Sequence, residues 1–187
     1  VRYFGMPAGG KNRDGIAYAR FPEWYFCPKC RRFQPLSKWI AEFNKNAKEQ
    51  EKTNNRNMSR RLYCPKDRVE LVVARIVTVC ARGHINDFPW VKWTHAKCFG
   101  GPKPVCANPQ LTFTTSPVAS EGLEGLSLKC TTCDASATLK DAFNDAIFEQ
   151  LDEKTENKFD FMCEGKHPWK NQTDVCPCYP KVLQRGS

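Results

Sequence analysis

Eleven cysteines in 187 residues constrain this chain more than any other feature of its sequence. Their number is odd, two pairs have the C-x-x-C spacing, and no secretory leader is visible. A disulfide framework favours an even number of cysteines in an exported chain, so this pattern favours metal binding in a reducing compartment. We therefore expect two or three Zn²⁺ ions and a cytoplasmic location.

One predicted site lies in two C-P-K turns near the N-terminus. FPEWYFCPKC indicates an aromatic strand entering a turn with Cys27 and Cys30, and CPKD supplies Cys64 and Asp67. A zinc ribbon would have a cysteine at the Asp67 position. Since carboxylates also bind zinc, Asp67 is a candidate fourth ligand. The alternative is a surface aspartate, with the fourth place taken by another cysteine, by water or by nothing.

A second predicted site starts from the CTTC turn, which holds Cys130 and Cys133. We expect Cys163 to complete it together with Cys176 or Cys178, brought close by an intervening helix. In the C-P-C segment, one thiol can bind while the other is spare.

The remaining candidates form a central group, Cys80, His84, His95, Cys98 and Cys106. Their spacings of four (Cys80, His84) and three (His95, Cys98) residues suit chelation, so this group predicts a third site. Alternatively, Cys98 and Cys106 close on the CTTC turn, and Cys80 is a buried thiol with no ligand role.

The pattern of elements predicts an α+β fold, a small, zinc-stapled, loop-rich domain with zinc-ribbon or knuckle elements and short antiparallel strands. Apolar runs predict a buried strand at 71–80 and a strand–turn–strand unit at 111–128. Helices are predicted from Ser37 and from Leu139 to Glu153, where Thr138 begins a capping-box-like sequence. We divide the chain into 1–68, with the arm, first knuckle and basic insertion, and 69–187, the Cys/His-rich region. The aromatic residues Phe88, Trp90 and Trp93 are interpreted as core wedges, or alternatively as a stacking platform for unpaired bases.

A formal charge of +9 favours a polyanionic partner, with nucleic acid first. No apolar run is long enough to span a membrane. A polar segment after the first helix carries the candidate phosphate-binding residues Lys45, Lys48, Lys52, Arg56, Arg60 and Arg61. The alternative is a solvated insertion without a binding role.

The segment CARGHINDFPWVKWTH follows a C-x-x-GH-x-x-DFPW-x-x-W-x-H pattern that resembles DrmB, the cysteine-rich component of the bacterial DISARM anti-phage system. Supporting segments are FPEWYFCPKC, CANPQL, CTTC, CEGKHPW and LQRGS. The likeness runs from Phe21 to Ser187 but leaves the insertion Lys45–Arg61 uncovered. Together with the initial Val1, it indicates a fragment of a longer protein.

This resemblance implies a non-enzymatic partner of a helicase-like ATPase, DrmA, acting with it on invading DNA in the bacterial cytoplasm. The cysteine knuckles would be structural zinc sites, and Asp67 departs from the expected C-x-x-C. No ATP-binding motif is present, so the motor would lie elsewhere. Two alternatives remain: an interaction scaffold that touches no DNA, and a metal-dependent nuclease or hydrolase built on His84, Asp87 and His95.

Overall fold

The computed structural model describes residues 20–46, 62–115, 125–169 and 172–184. These ranges contain three α-helices and nine short strands, and every strand pair is antiparallel. Long irregular segments connect them, especially at 97–110, 155–169 and 172–180. The predicted α+β class is confirmed.

The larger sheet has six strands in the order β3-β1-β2-β6-β7-β8. They are β1 (Trp24–Phe26), β2 (Arg32–Pro35), β3 (Val72–Val73), β6 (Leu111–Thr115), β7 (Leu126–Cys130) and β8 (Ser136–Thr138). The aromatic strand before the first knuckle and the predicted strand pair at 111–128 are both present. The proposed division after residue 68 remains a prediction, although β3 pairs with β1 across it.

The smaller sheet has three strands in the order β5-β4-β9, namely β4 (Ile76–Val79), β5 (Ile85–Asp87) and β9 (Lys181–Gln184). The single strand expected at 71–80 is therefore wrong. The chain leaves the larger sheet after Val73 and enters the smaller one at Ile76. Between them, the amide of buried Ala74 donates a hydrogen bond to the Trp24 carbonyl. One apolar run thus contributes a strand to each of the two sheets.

The three helices are α1 (Leu36–Asn46), α2 (Trp90–Ala96) and α3 (Ile147–Lys154). The predicted helix from Leu139 begins only at Ile147. Thr138 ends β8 instead, and its hydroxyl accepts a hydrogen bond from the Lys140 amide within a turn. Asp141 has a φ of 62°, outside the helical region. Leu139 is nevertheless fully buried, so its apolar character serves the core rather than a helix face.

Aromatic side chains fill the space between the two sheets. Phe88, Trp90 and Trp93 are at most 1% exposed. Ring contacts link them to Phe33 and Phe148, with centroids 4.9 to 6.3 Å apart. The core-wedge interpretation is confirmed, and these buried rings present no open face on which a base could stack.

None of the helices in the described ranges has the length and apolar character needed to cross a bilayer. Lys45 lies exposed at the end of α1. The other candidate phosphate-binding residues, Lys48, Lys52, Arg56, Arg60 and Arg61, lie outside the described ranges.

Candidate metal centres

The fold brings twelve Cys, His and Asp side chains together in three clusters of four, with ligand atoms within 4.8 Å of one another in each. The first cluster is Cys27, Cys30, Cys64 and Asp67. The second cluster is His95, Cys106, Cys130 and Cys133. The third cluster is Cys80, His84, Cys163 and Cys176. Each of these clusters could hold a metal ion.

Two turns of the same conformation build the first cluster. In one, the Arg31 amide donates to the Cys27 carbonyl over 2.9 Å; in the other, the Arg68 amide donates to the Cys64 carbonyl over 2.9 Å. Arg31 and Arg68 both have positive φ, at 62° and 58°. CPKDR therefore folds as CPKCR does, and Asp67 occupies the position of the second cysteine of a knuckle.

The donor atoms of the first cluster converge closely. The Asp67 carboxylate lies 3.4 Å from the Sγ atoms of both Cys27 and Cys64, and the Sγ atoms of Cys30 and Cys64 are 3.9 Å apart. The Arg32 guanidinium lies 3.8 Å from the Cys64 sulfur and donates to Glu42 of α1 over 2.8 Å. Because three thiolates and a carboxylate exceed the charge of a divalent ion, this cation offsets part of the remaining negative charge.

The second cluster joins the β7–β8 turn to α2 and to the loop before β6. The Cys130 and Cys106 sulfurs are 3.7 Å apart, and Cys133 Sγ lies 3.3 Å from Nε2 of His95. Nδ1 of His95 lies 2.8 Å from the Val91 carbonyl oxygen, which only accepts. In the neutral ring the proton therefore sits on Nδ1, and the lone pair of Nε2 faces the cysteines.

The third cluster joins the β4–β5 turn to the long C-terminal loop. Cys80 Sγ lies 3.3 Å from Nδ1 of His84 and 3.8 Å from Cys176 Sγ. The amides of Arg82 and Gly165 point at the sulfurs of Cys80 and Cys163 over 3.3 and 3.4 Å. These amide donors stabilise thiolate charge.

A carboxylate outside the third cluster orients its histidine. The Nε2 atoms of His84 and His167 lie 3.4 and 3.3 Å from the same Asp174 oxygen. The acceptor fixes the proton of neutral His84 on Nε2, so that Nδ1 presents its lone pair to Cys80. A carboxylate behind a ligand histidine is the usual second-sphere support of a metal site. His167 lies in a loop and shares the Asp174 oxygen with His84, so it supports the cluster indirectly.

The clusters fit tetrahedral zinc by their dimensions. Zinc–sulfur bonds of about 2.3 Å give sulfur–sulfur edges of about 3.8 Å in a tetrahedron. The observed edges of 3.7, 3.8 and 3.9 Å match this value. All eleven cysteines are free thiols rather than disulfides.

The pKa values of the thiols in the third cluster differ widely, and a bound cation would favour the thiolate form of each. Burial opposes ionisation of Cys176, but hydrogen bonds from the Cys178 amide, His84 and neighbouring thiols bring its pKa down to about 6. In the same cluster, burial and neighbouring thiols raise the pKa of Cys163 to about 12. Cys176 therefore ionises readily, whereas burial first, and neighbouring thiols second, oppose the ionisation of Cys163. A divalent cation would favour both thiolates.

The structure groups the predicted ligands differently from the sequence interpretation beyond the first cluster. Cys163 and Cys176 meet Cys80 and His84 instead of the CTTC turn, which meets His95 and Cys106. Two candidates lie outside the three clusters. Cys98 is buried with its sulfur 3.4 Å from the Phe99 carbonyl, and Cys178 packs beside the third cluster. The proposed catalytic trio does not assemble, because His84 and His95 belong to different clusters.

Asp174 is the residue that sequence reasoning missed. It lies 90 positions from His84 and has no motif spacing to any ligand. The only feature of the sequence that could have indicated Asp174 is its position two residues before the C-P-C segment.

Replacing Asp174 by alanine is expected to lower the zinc affinity of the third cluster by about 10- to 100-fold, because His84 loses its orienting acceptor. Competition with a chromophoric chelator measures this affinity. Asp145→Ala is the matched control, since Asp145 is an exposed aspartate paired with Lys181 on the surface. Equal affinities in the two variants would contradict a supporting role for Asp174.

An α+β fold whose Cys and His side chains meet in groups of four defines a cysteine-rich protein with candidate metal sites. The chain belongs to the family described as "Domain of unknown function (DUF8724)", which matches residues 1–187. It is also similar to the "DISARM protein DrmB" of Bacillus paralicheniformis, with 31% identity over 127 residues. That match covers 66% of this chain and 19% of the Bacillus protein. The resemblance to DrmB seen in the sequence motifs is confirmed.

Proposed function

We propose that this chain is a non-catalytic, zinc-binding part of a DISARM defence component, and that it helps to hold DNA together with a helicase-like ATPase partner. The similarity to a DrmB protein supports the defence role. The observation that carries the proposal is the closure of each cluster by four protein donors. Four protein ligands leave no open position, which is typical of structural rather than catalytic zinc.

Zinc at all three clusters would leave the chain basic. Nine thiolates and three divalent ions would lower the formal charge from +9 to about +6. Exposed basic residues also surround the first cluster: Lys29 and Lys66 occupy equivalent places in its two knuckle turns. A basic surface fixed by metal-bound turns suits the phosphate backbone of DNA.

The DNA-binding part of the proposal predicts an affinity that falls steeply with salt. Reversing the charges of Arg56, Arg60 and Arg61 is expected to weaken binding and to flatten the slope of log K against log salt by about one for each phosphate that is no longer neutralised. Fluorescence anisotropy of a labelled duplex and a labelled single strand at several salt concentrations measures both quantities. Lys158→Glu, a reversal at an exposed lysine outside the insertion, is the control.

Each outcome separates the proposal from its alternatives. A chain that binds no DNA, or binds with a flat salt response, favours an interaction scaffold. Unchanged binding after the triple reversal makes the polar segment a solvated insertion. Chelator-sensitive DNA cleavage by a chain that stays folded without metal would favour a nuclease.

A further inference from the structure

A cleft of about 670 Å³ lies between the start of β1, the edge strand β5 and the loop residues 164–168 and 172–173. Its volume falls within the range of about 300–1,000 Å³ that is typical of ligand sites. Trp24 and Phe21 contribute aromatic surface, and Asp87 contributes a carboxylate. None of the three belongs to a metal cluster.

Three residues that line this cleft carry buried polar atoms that lack partners. Within the described ranges, five buried side-chain nitrogen or oxygen atoms make no hydrogen bond, and three of them belong to residues lining the cleft. These are Oδ1 of Asn86, Nε1 of Trp90 and Nδ1 of His167. Asn86 and Trp90 are 7% and 1% exposed. Such groups are costly unless an occupant pairs with them.

Acceptors outnumber donors among these atoms. The amide oxygen of Asn86 accepts. Since Nε2 of neutral His167 carries the proton that faces Asp174, its Nδ1 accepts as well. Only the indole of Trp90 donates. An occupant that pairs with these atoms therefore needs more donors than acceptors.

The charges of the cleft also favour a cation. Glu164 is paired with Lys166, and Lys92 is held by the Asp160 carbonyl over 2.6 Å. Asp87 accepts the Glu23 amide over 3.0 and 3.1 Å but forms no ion pair with a described residue. Burial raises the pKa of Asp87 to about 6. Hydrogen bonds from the Glu23 and Trp24 amides and the charge of Lys166 act in the opposite direction but are weaker. A half-buried carboxylate that forms no ion pair gains from a cationic ligand.

We propose that this cleft receives an arginine side chain of a protein partner, with the guanidinium on the Asp87 carboxylate and its plane against Trp24. The guanidinium offers five donors in a rigid plane, so it can pair with a carboxylate, meet the unpartnered acceptors and stack on an aromatic ring. Phosphate is disfavoured by the Asp87 and Glu23 carboxylates. This inference rests on the protein partner in the proposed function and is independent of DNA binding.

The test uses the full chain with N-acetyl-argininamide as the probe and the neutral isostere N-acetyl-citrullinamide as its control. Titration followed by the indole N–H resonances of Trp24 and Trp90 is expected to show binding on the order of 1 mM for the arginine probe, about −4 kcal/mol. The citrulline probe is expected to bind at least about tenfold more weakly, since it lacks the charge that Asp87 recognises.

Asp87→Asn is expected to weaken argininamide binding at least about tenfold, whereas Asp145→Asn leaves it unchanged. Because the comparison of arginine with citrulline needs no variant, the test stands even if Asp87→Asn does not fold. Equal binding of the two probes, no response of the indole resonances, or stronger binding of guanosine monophosphate at the same resonances would overturn the proposal. A chain that retains zinc and binds DNA but ignores argininamide contradicts this inference alone, and leaves the proposed function intact.

Discussion

On the proposed assignment of one zinc ion to each cluster, Cys130→Ser is expected to abolish the cooperative unfolding transition of the chain and to reduce its zinc content from three ions to two. Cys130 is fully buried at the end of β7, where the second cluster meets the aromatic core. A structural zinc site contributes about 10 kcal/mol or more at neutral pH, which is comparable to the entire stability of a domain, about 5–15 kcal/mol. Circular dichroism during heating and elemental analysis measure the two effects.

Cys98→Ser is the matched control for this prediction, because it makes the same chemical change at another buried cysteine. Cys98 lies outside the three clusters, and a serine hydroxyl there can still donate to the Phe99 carbonyl. We expect a loss of about 1 kcal/mol and an unchanged zinc content. If Cys98→Ser removes an ion, or if Cys130→Ser retains three ions and full stability, the assignment of the second cluster is wrong.

Gly165→Ala is expected to destabilise the chain by at least about 3 kcal/mol, through strain and overlap together. Gly165 has a φ of 66°, and a Cβ built there overlaps the backbone carbonyl of Asp174. The overlap cannot be relieved by rotating a side chain. Because the Gly165 amide also points at the Cys163 sulfur, the third cluster is expected to lose zinc to a chelator first.

Gly83→Ala provides the comparison, since Gly83 also has a positive φ, of 79°, and also lies beside a ligand of the third cluster. Nothing lies within 4 Å of a Cβ at Gly83. Only the conformational cost of about 1–2 kcal/mol remains. Thermal melts and chelator competition of both variants measure the difference, and equal losses would mean that the approach of Asp174 to Gly165 is unimportant.

The first cluster could be predicted from the sequence because its ligands lie in two local turns. C-P-K spacing alone brings two donors to one side of each turn, and the aspartate stands where a cysteine would. The helix α2 was not predicted, although Trp90 and Trp93, three positions apart, lie on one helical face. Ligands that lie within one turn could therefore be predicted from their spacing in the sequence.

The pairing of half-sites in the other two clusters could not be predicted, because tertiary packing decides it. The Trp93 indole donates to the Thr138 carbonyl over 3.0 Å, which places α2 against β8 and brings His95 to the CTTC turn. The Cys80–His84 turn reaches Cys163 and Cys176 because β9 pairs with β4. Neither contact has a spacing that can be read along the chain.

The three clusters also close loops of very different length, so the proposed zinc sites would assemble in a definite order during synthesis. Cys30 and Cys64 are 34 positions apart, whereas Cys80 must wait for Cys176, which follows 96 positions later. Since closing a longer loop costs more entropy, the early turns can capture an ion while the ribosome is still producing the rest. On the proposed zinc assignment, an ion at the third cluster would hold β9 against β4 only after Cys176 has been synthesised.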